Sequence, residues 1–367
     1  MKRQSKKLLM NRPQRSTLRL RATSETRASK VLVKMRAPTP TVVFDTYWRF
    51  ASERQEVLFR RVRGDTAPWT TDPILAAYKF TNVYRATDRV SQYLIQRVIY
   101  GNNCDARDSV FRVLLFKLFN KIETWELLEQ QHGDLVSRNF DVCRFDHTLN
   151  AALSAGRAIY SAAYIMPSGP AIVRRPRKHR MHLEMLSRIL RDSVPDRLLA
   201  ARSMAEVYER LRELPSIGPF LAYQFSTDLN YTSHVDFSEM EFVVPGPGAR
   251  DGLRKCFKDL GDYSEADAIR WIADRQNDEF AARGLTFQSL WGRSLQLIDC
   301  QNVLCEVDKY SRVLHPDISG RSGRKRIKQK FSPSCSPLRL WFPPKWGINQ
   351  KAKLKIHPLL APSSASL

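Results

Sequence analysis

Between Phe44 and Leu314 apolar residues recur at helical spacing and strand-like runs are few and short, which constrains the body to an all-α fold. The spacing predicts a helix over 44–63, broken by the Gly- and Pro-bearing GDTAPWTTDP. In the following TDPILAAYKFTNVYRATDRVSQYLIQRVIYG, Asp72 stands as an N-cap and Pro73 as the first helical residue. Phe80, Val83, Val90, Leu94 and Val98 then share one face, and Lys79, Asn82, Arg85, Arg89 and Gln92 the other. One side is expected to pack and the other to be available. Further helices are expected at 108–131, 146–162, 181–191, 203–213, 219–230, 264–283 and 286–315, with no internal repeat. A chain of 367 residues, 43% hydrophobic, is long enough to bury one large core or two modest ones.

The formal charge of +23 is unevenly spread. Residues 1–36 and 320–367 each carry a net +11, which leaves the middle at +1. The expected organisation is a basic, disordered N-terminal tail over 1–40, a helical domain over 41–318 and a second basic, disordered tail over 319–367. Such arms attract phosphate without reading sequence, so DNA is the expected macromolecular partner. The start also has the acid-poor look of a transit peptide, GRKRIKQK that of a nuclear signal, and Met35 stands as an alternative start. No run is long and apolar enough to span a bilayer, and the expected location is cytoplasmic for a bacterial or phage chain and nuclear for a eukaryotic one. Six scattered cysteines point to reduced thiols rather than a disulfide framework. RRPRKHRMH, Arg174 to His182, is the body's concentrated positive patch; its two histidines sit among cations, and neither a metal nor a cofactor is expected.

Leu214 to Asp236, LPSIGPFLAYQFSTDLNYTSHVD, reads as the end of one helix, a tight hairpin, a second helix and an acid. A hairpin of this form presents backbone N–H groups at a helix N-terminus, where a phosphate can sit. It resembles the helix-hairpin-helix motif, with Gly218 in the hairpin and Ser216 where that motif usually has its first glycine. In the DNA glycosylases that carry the motif the catalytic aspartate follows at a similar distance, which implies a catalytic role for Asp236. The position of their Schiff-base lysine reads Pro219-Phe220, and no four-cysteine cluster is present. On the helix DCQNVLCEVDKYSRVL, Cys305, Asp308, Lys309 and Arg312 share a face opposite Val303, Val307, Tyr310 and Leu314, with Glu306 at the border. VPGPGARDGL supplies Gly246 and Gly248, glycines of the kind that let a backbone approach a ligand.

Four stretches in this order, APWTTDPILAAYKFTNVYRATDRVSQYL, LPSIGPFLAYQFSTDLNY, PGPGARDGL and LCEVDKYSR, resemble the helical domain of 5-hydroxymethyl-deoxyuridine DNA kinases, across 44–315. The same signatures mark the alpha-glutamyl/putrescinyl thymine pyrophosphorylases, a group similar to helix-hairpin-helix glycosylases. The resemblance implies thymine hypermodification: an amine or amino-acid co-substrate displaces a phosphate or pyrophosphate from 5-hydroxymethyluracil in DNA. The chain carries no G-x-x-x-x-G-K-S/T sequence, so a separate 5-hydroxymethyl-dU DNA kinase is the expected partner.

On this expectation Trp69 and Tyr84 stack on an extruded base, and Asn82, Gln92 or Gln224 reads its edge. Lys79, Arg85, Lys309 and Arg312 hold the leaving group, with Ser216, Gly218, Gly246, Gly248 and Asp308 completing substrate and phosphate binding. Asp236 or Glu306 takes the amine proton, and Cys305 is a thiol able to add to the pyrimidine. A glycosylase-like hydrolase dependent on Asp236 and a non-catalytic helix-hairpin-helix binding module are the two alternatives.

Overall fold

The computed structural model describes residues 35–161, 177–333 and 338–356. The N-terminal arm up to residue 34, Arg174 and Arg175 of the positive patch, Cys335 and the final eleven residues lie outside the described residues. From Arg36 onward the chain forms one body. Among the described residues it is all-α but for a two-stranded antiparallel sheet, β1 (Thr39–Pro40) against β2 (Phe257–Asp259).

Helix α1 (Val42–Arg63) begins where the Thr41 hydroxyl accepts the Val43 N–H, and ends at Gly64, whose φ of 82° closes the last turn. Tyr47, Trp48, Ala51 and Leu58 of its inner stripe are fully buried. Asp72 caps α2 (Pro73–Ala77) as expected, accepting from the Ile74 and Leu75 N–H groups. The long amphipathic helix expected beyond it does not form. Residues 78–84 are irregular, Arg85–Thr87 makes a 3₁₀ turn, and α3 (Arg89–Tyr93) passes into a π turn over Leu94–Ile99.

Tertiary partners take the backbone groups a helix would have paired. Lys79 N–H donates to the Gln329 carbonyl, Phe331 N–H to that of Ala77, and Thr81 N–H to Glu306. Asn82 N–H goes to Asp88, and the Arg54 guanidinium takes the carbonyls of Phe80 and Thr81. The supposed free polar face is therefore largely interior: Asn82, Arg85 and Gln92 are buried, while Lys79 and Arg89 are exposed.

The expected 108–131 helix is two, α4 (Ala106–Phe119) and α5 (Ile122–His132), split where Asn120 adopts φ 48°. Next come α6 (Val142–Ser154), α7 (Lys178–Arg191), the unanticipated α8 (Val194–Leu199), α9 (Met204–Arg212) and α10 (Pro219–Leu229). After α11 (Pro247–Cys256), the 264–283 segment divides into α12 (Glu265–Asp274) and α13 (Gln276–Ala282). Only Leu297–Leu314 of the 286–315 segment is helical, as α14; Trp291 and Gly292 take positive φ in the loop before it.

Helix α14 is central, packed on α1, α11 and α12. Its approach to α11 depends on Gly252, where a Cβ would lie 2.2 Å from the Leu304 carbonyl oxygen.

The C-terminal segment departs from the disordered arm expected over 319–367. Tyr78 and Lys330 form an antiparallel bridge. Further on, Leu340, Phe342, Ile348 and Ala352 are buried in the common core, the last two at the start of α15 (Asn349–Ile356) and just before it. Trp341 N–H donates to Gln92, and Phe342 exchanges hydrogen bonds with the Asn349 amide. Burying apolar side chains of this size outweighs the repulsion of an acid-free sequence.

Candidate functional site

Two cavities take side chains from the sequence motifs and from the returning C-terminal segment. The first, of about 350 Å³, lies between α1, α2 and residues 331–333. Trp69, Tyr78, Phe80 and Phe331 form its aromatic lining, with Arg54 and Arg61 as its cations. Trp69 is fixed by an N–H bond to the Asp65 carbonyl (2.7 Å), and the Arg61 guanidinium lies 5.1 Å from its ring centroid. Lys330 stands over Tyr78 at 4.2 Å and Lys309 over Phe80 at 4.6 Å.

Arg54 is the buried hub of this cavity. Its Nε donates to the Thr81 carbonyl (3.0 Å) and its Nη2 to the Asn82 side-chain oxygen, while Nη1 has no hydrogen-bond partner among the described residues. Burial lowers its pKa to about 10, against the pull of Asp88. Burial also raises Asp88 to about 7 despite its hydrogen bond from Asn82 N–H. Behind Phe80, Glu306 accepts the Thr81 N–H (3.0 Å) and pairs with Lys309 (2.7 Å). A desolvated guanidinium with a spare donor beside aromatic walls suits a flat ring bearing oxygen acceptors or an anionic substituent.

The second cavity, of about 310 Å³, opens beside the loop after α10. It holds Asp236, Glu239, Arg293, Gln296, Lys345 and Trp346. The Asn230 side chain bonds both the N–H and the carbonyl of Phe237, which fixes the loop carrying Asp236. Arg293 pairs with Glu239 (2.7 Å) and lies 3.8 Å from the Trp346 ring centroid. Lys345 Nζ is 3.2 Å from Asp236 and donates to the Val235 carbonyl (2.6 Å). Burial lowers the Lys345 pKa against the pull of Asp236. Behind this cleft Asp299 accepts the N–H groups of Arg85 and Gln296; burial, with Glu239 adding, raises it to about 7.

Several proposed ligand-binding residues hold the fold instead. Arg85 makes a two-pronged pair with Asp228 (2.7 and 3.0 Å), which also meets Lys117 at 3.0 Å. Burial works against the Arg85 charge, but Asp228 and Tyr231 outweigh it and hold the guanidinium well above its ordinary pKa. Gln224, proposed as a base reader, accepts from Arg85 in the same network. Tyr84 is a core residue rather than an available stacker: its hydroxyl donates to the Arg293 carbonyl and accepts from Leu290 N–H. Gln92 bonds the Ala86 carbonyl and Trp341, and Asn82 holds Arg54 and the Thr87 carbonyl. Asp308 is buried between Lys255 (3.0 Å) and Arg312, in the seam of α11 and α14.

Gly246 and Gly248 serve packing too, Gly246 against α10 and Gly248 against α14. A Cβ at Gly246 would lie 2.6 Å from the Phe220 ring, and one at Gly248 3.0 Å from the Cys305 sulfur. Burial raises the Cys305 pKa, which keeps it a neutral thiol. In the hairpin Ser216 adopts φ 65°, the left-handed conformation a glycine takes at no cost, and Gly218 caps α10 with its surroundings open. The structure thus brings Trp69 into the aromatic cavity with Glu306 and Lys309 behind it, and sets Asp236 apart in the mixed-charge cleft.

Sequence reasoning missed Arg54 and Lys345. Arg54 interrupts the buried stripe Tyr47, Ala51, Leu58 of α1, and a charge on an apolar stripe was the available signal. For Lys345 the signal was LWFPPKWG, an aromatic cluster inside a basic stretch.

Fold and cavities together define a mostly helical protein with an aromatic, arginine-edged cavity and a separate polar cleft. A family model described as 5-hmdU DNA kinase, helical domain, matches residues 41–320, and the chain belongs to that family. A curated 5-hmdU DNA kinase of Bacillus phage SP10 is 26% identical over 294 residues, covering 74% of this chain and 45% of the relative. The chain therefore spans about half the length of that relative. No solved structure matches it.

Proposed function

We propose that the chain is a DNA base-modifying enzyme of thymine hypermodification. In this reading it takes 5-hydroxymethyluracil in DNA, phosphorylated or pyrophosphorylated at its hydroxyl, and replaces that leaving group with an amine. The observation that carries it is the aromatic cavity of about 350 Å³ with Arg54 at its wall, in a chain of the 5-hmdU DNA kinase helical-domain family. A base must leave the helix to be modified at its 5-methylene, which costs a few kcal/mol that stacking walls and hydrogen bonds recover. Here Trp69 and Phe80 receive the pyrimidine, and Arg54 turns its spare N–H, covered by its neighbours, toward a base or phosphate oxygen. The amine nitrogen bonds to the methylene carbon while the carbon–oxygen bond breaks and its electron pair leaves with the phosphate. Arg61 and Lys330 meet the developing charge, and the amine proton passes to solvent at the cavity mouth. The activated base comes from a 5-hydroxymethyl-dU DNA kinase activity.

A second reading, hydrolysis of the modified base, draws support from the Asp236 carboxylate, whose side chain is 73% exposed in a cleft of its own. Nucleoside mass spectrometry decides between them, after incubating the chain with duplex bearing 5-phosphomethyl- or 5-pyrophosphomethyl-deoxyuridine and a panel of amines. A nucleoside heavier by the amine is the expected product. An abasic product moves the chemistry to Asp236, and DNA that is bound but unchanged with every amine sinks both enzymatic readings.

A further inference from the structure

The cleft around Asp236 contains a residue that the proposed amine transfer does not use. Lys345 comes from the C-terminal segment, beyond the 41–320 family match, and Phe342 fixes it in place from the core. Its side chain is 16% exposed and its amine sits between the Val235 carbonyl and Asp236. Two features make such an amine a nucleophile rather than a surface cation. Burial, with Arg293 nearby, disfavours the ammonium form. Asp236, by contrast, reaches solvent, so a proton taken from the lysine has an exit. The cleft adds space of about 310 Å³ and, at its wall, the Trp346 ring backed by Arg293.

We propose that Lys345 is an imine-forming lysine directed at an aldehyde carried by DNA, with Asp236 as its proton relay. The DNA part rests on the function proposed above; the exposed, acid-free run Arg321–Lys330 of the same segment adds a surface that attracts phosphate. The Nζ lone pair bonds to the aldehyde carbon as the carbonyl electron pair moves to oxygen, and a proton passes from the attacking nitrogen to that oxygen to give the carbinolamine. Asp236 then delivers to that hydroxyl the proton it took from the lysine; the carbon–oxygen bond breaks, water leaves, and the iminium remains. No oxidant or reductant takes part. Two DNA aldehydes share this chemistry, the C1′ aldehyde of an abasic deoxyribose and the formyl group of 5-formyluracil.

The test is reductive trapping of the full chain on fluorescent duplexes containing one abasic site, one 5-formyluracil or only thymine, with cyanoborohydride present. Peptide mass spectrometry locates the adduct, and anisotropy measures binding in parallel. A covalent complex on one or both aldehyde duplexes, mapped to Lys345, is expected, and the two arms name the aldehyde. Lys345→Met should lower trapping at least tenfold, and Asp236→Asn should slow it while leaving the adduct on Lys345. Wild-type trapping by Lys345→Met, or an adduct spread over surface lysines, overturns the proposal. So does bound aldehyde DNA without any adduct, an outcome that leaves amine transfer standing. If no duplex binds, the DNA reading itself falls, and 2-deoxyribose-5-phosphate replaces the duplex: labelling confined to Lys345 upholds the imine, and its absence overturns it. Thermal melting of both variants separates lost chemistry from lost fold.

Discussion

The two cavities are built from the same parts in opposite proportions. Each has a buried or half-buried arginine, an aromatic residue and an acid with a raised pKa behind it: Arg54, Trp69 and Asp88 in one, Arg293, Trp346 and Asp299 in the other. In the first, aromatic walls dominate and Arg54 keeps a donor to spare. In the second, the charges are already paired, Arg293 with Glu239 and Lys345 with Asp236. The difference teaches what each can accept. A desolvated, incompletely bonded cation gains from an incoming acceptor, whereas a closed ion pair gives up its partner to bind anything, so the second cleft is better suited to proton movement than to holding an anion.

The largest expected effect comes from breaking the second cleft at its anchor. Phe342 is fully buried against Trp291 and Trp346. Phe342→Ala should cost about 3–5 kcal/mol in chemical denaturation. The aromatic cavity should survive in the folded fraction, because Phe331 is held by its own backbone bond to Ala77. Equal loss of binding at both cavities would show that they are one unit.

Next in size is the aromatic contribution to binding. Stacking on a base is worth about 1–3 kcal/mol, so Trp69→Ala should weaken binding to duplex carrying the modified base about 5- to 150-fold. Trp346→Ala should change it by less than about twofold. Anisotropy titrations of both variants check this, and a reversed order would assign the base to the Asp236 cleft.

How far the sequence disclosed these cavities follows from the kind of interaction that builds them. The all-α class, the Asp72 cap and α9–α10 were readable because caps and apolar periodicity are local. The stretch 78–100 misled because its polar residues obey helical spacing, yet their partners Arg54, Glu306, Asp299 and Gln329 are distant in sequence. Trp69 was named as a base stacker on the strength of the family resemblance; Phe331, which closes the cavity it lines, lies in a segment whose charge pointed to disorder. Net charge reports repulsion and says little about a few buried aromatics.

A smaller effect is expected from pH at Asp88, which is half-buried, and Asp299, which is buried. Asp88 and Asp299 stay protonated up to about 7 in the folded chain, against 3.8 when exposed. Between those values the folded state binds more protons than the unfolded one, so these groups make stability fall as pH rises from 4 to 7. Asp88→Asn and Asp299→Asn should each flatten the slope of melting temperature against pH. Asparagine keeps the acceptor that Asn82 N–H or Arg85 N–H uses. An unchanged slope in either variant would mean that its carboxylate is charged in the fold and held by the neighbouring arginine.

The smallest effect is expected at Cys305. Its sulfur lies against Gly248, in the seam where α11 meets α14, and burial keeps the thiol neutral. A neutral, half-buried thiol is a poor nucleophile toward a pyrimidine, and the lining of neither cavity includes it. Cys305→Ser exchanges a large, weakly polar atom for a smaller hydroxyl at a site that is not fully dry, so stability should change by less than about 1 kcal/mol. Turnover in the nucleoside assay should match that of the unaltered chain. A loss of more than tenfold at unchanged melting temperature would place the sulfur in the reaction, and would require α11 to move away from Cys305 when DNA binds. Such a movement would make the seam between α11, with its Gly248 and Gly252, and α14 a third reactive surface and not packing.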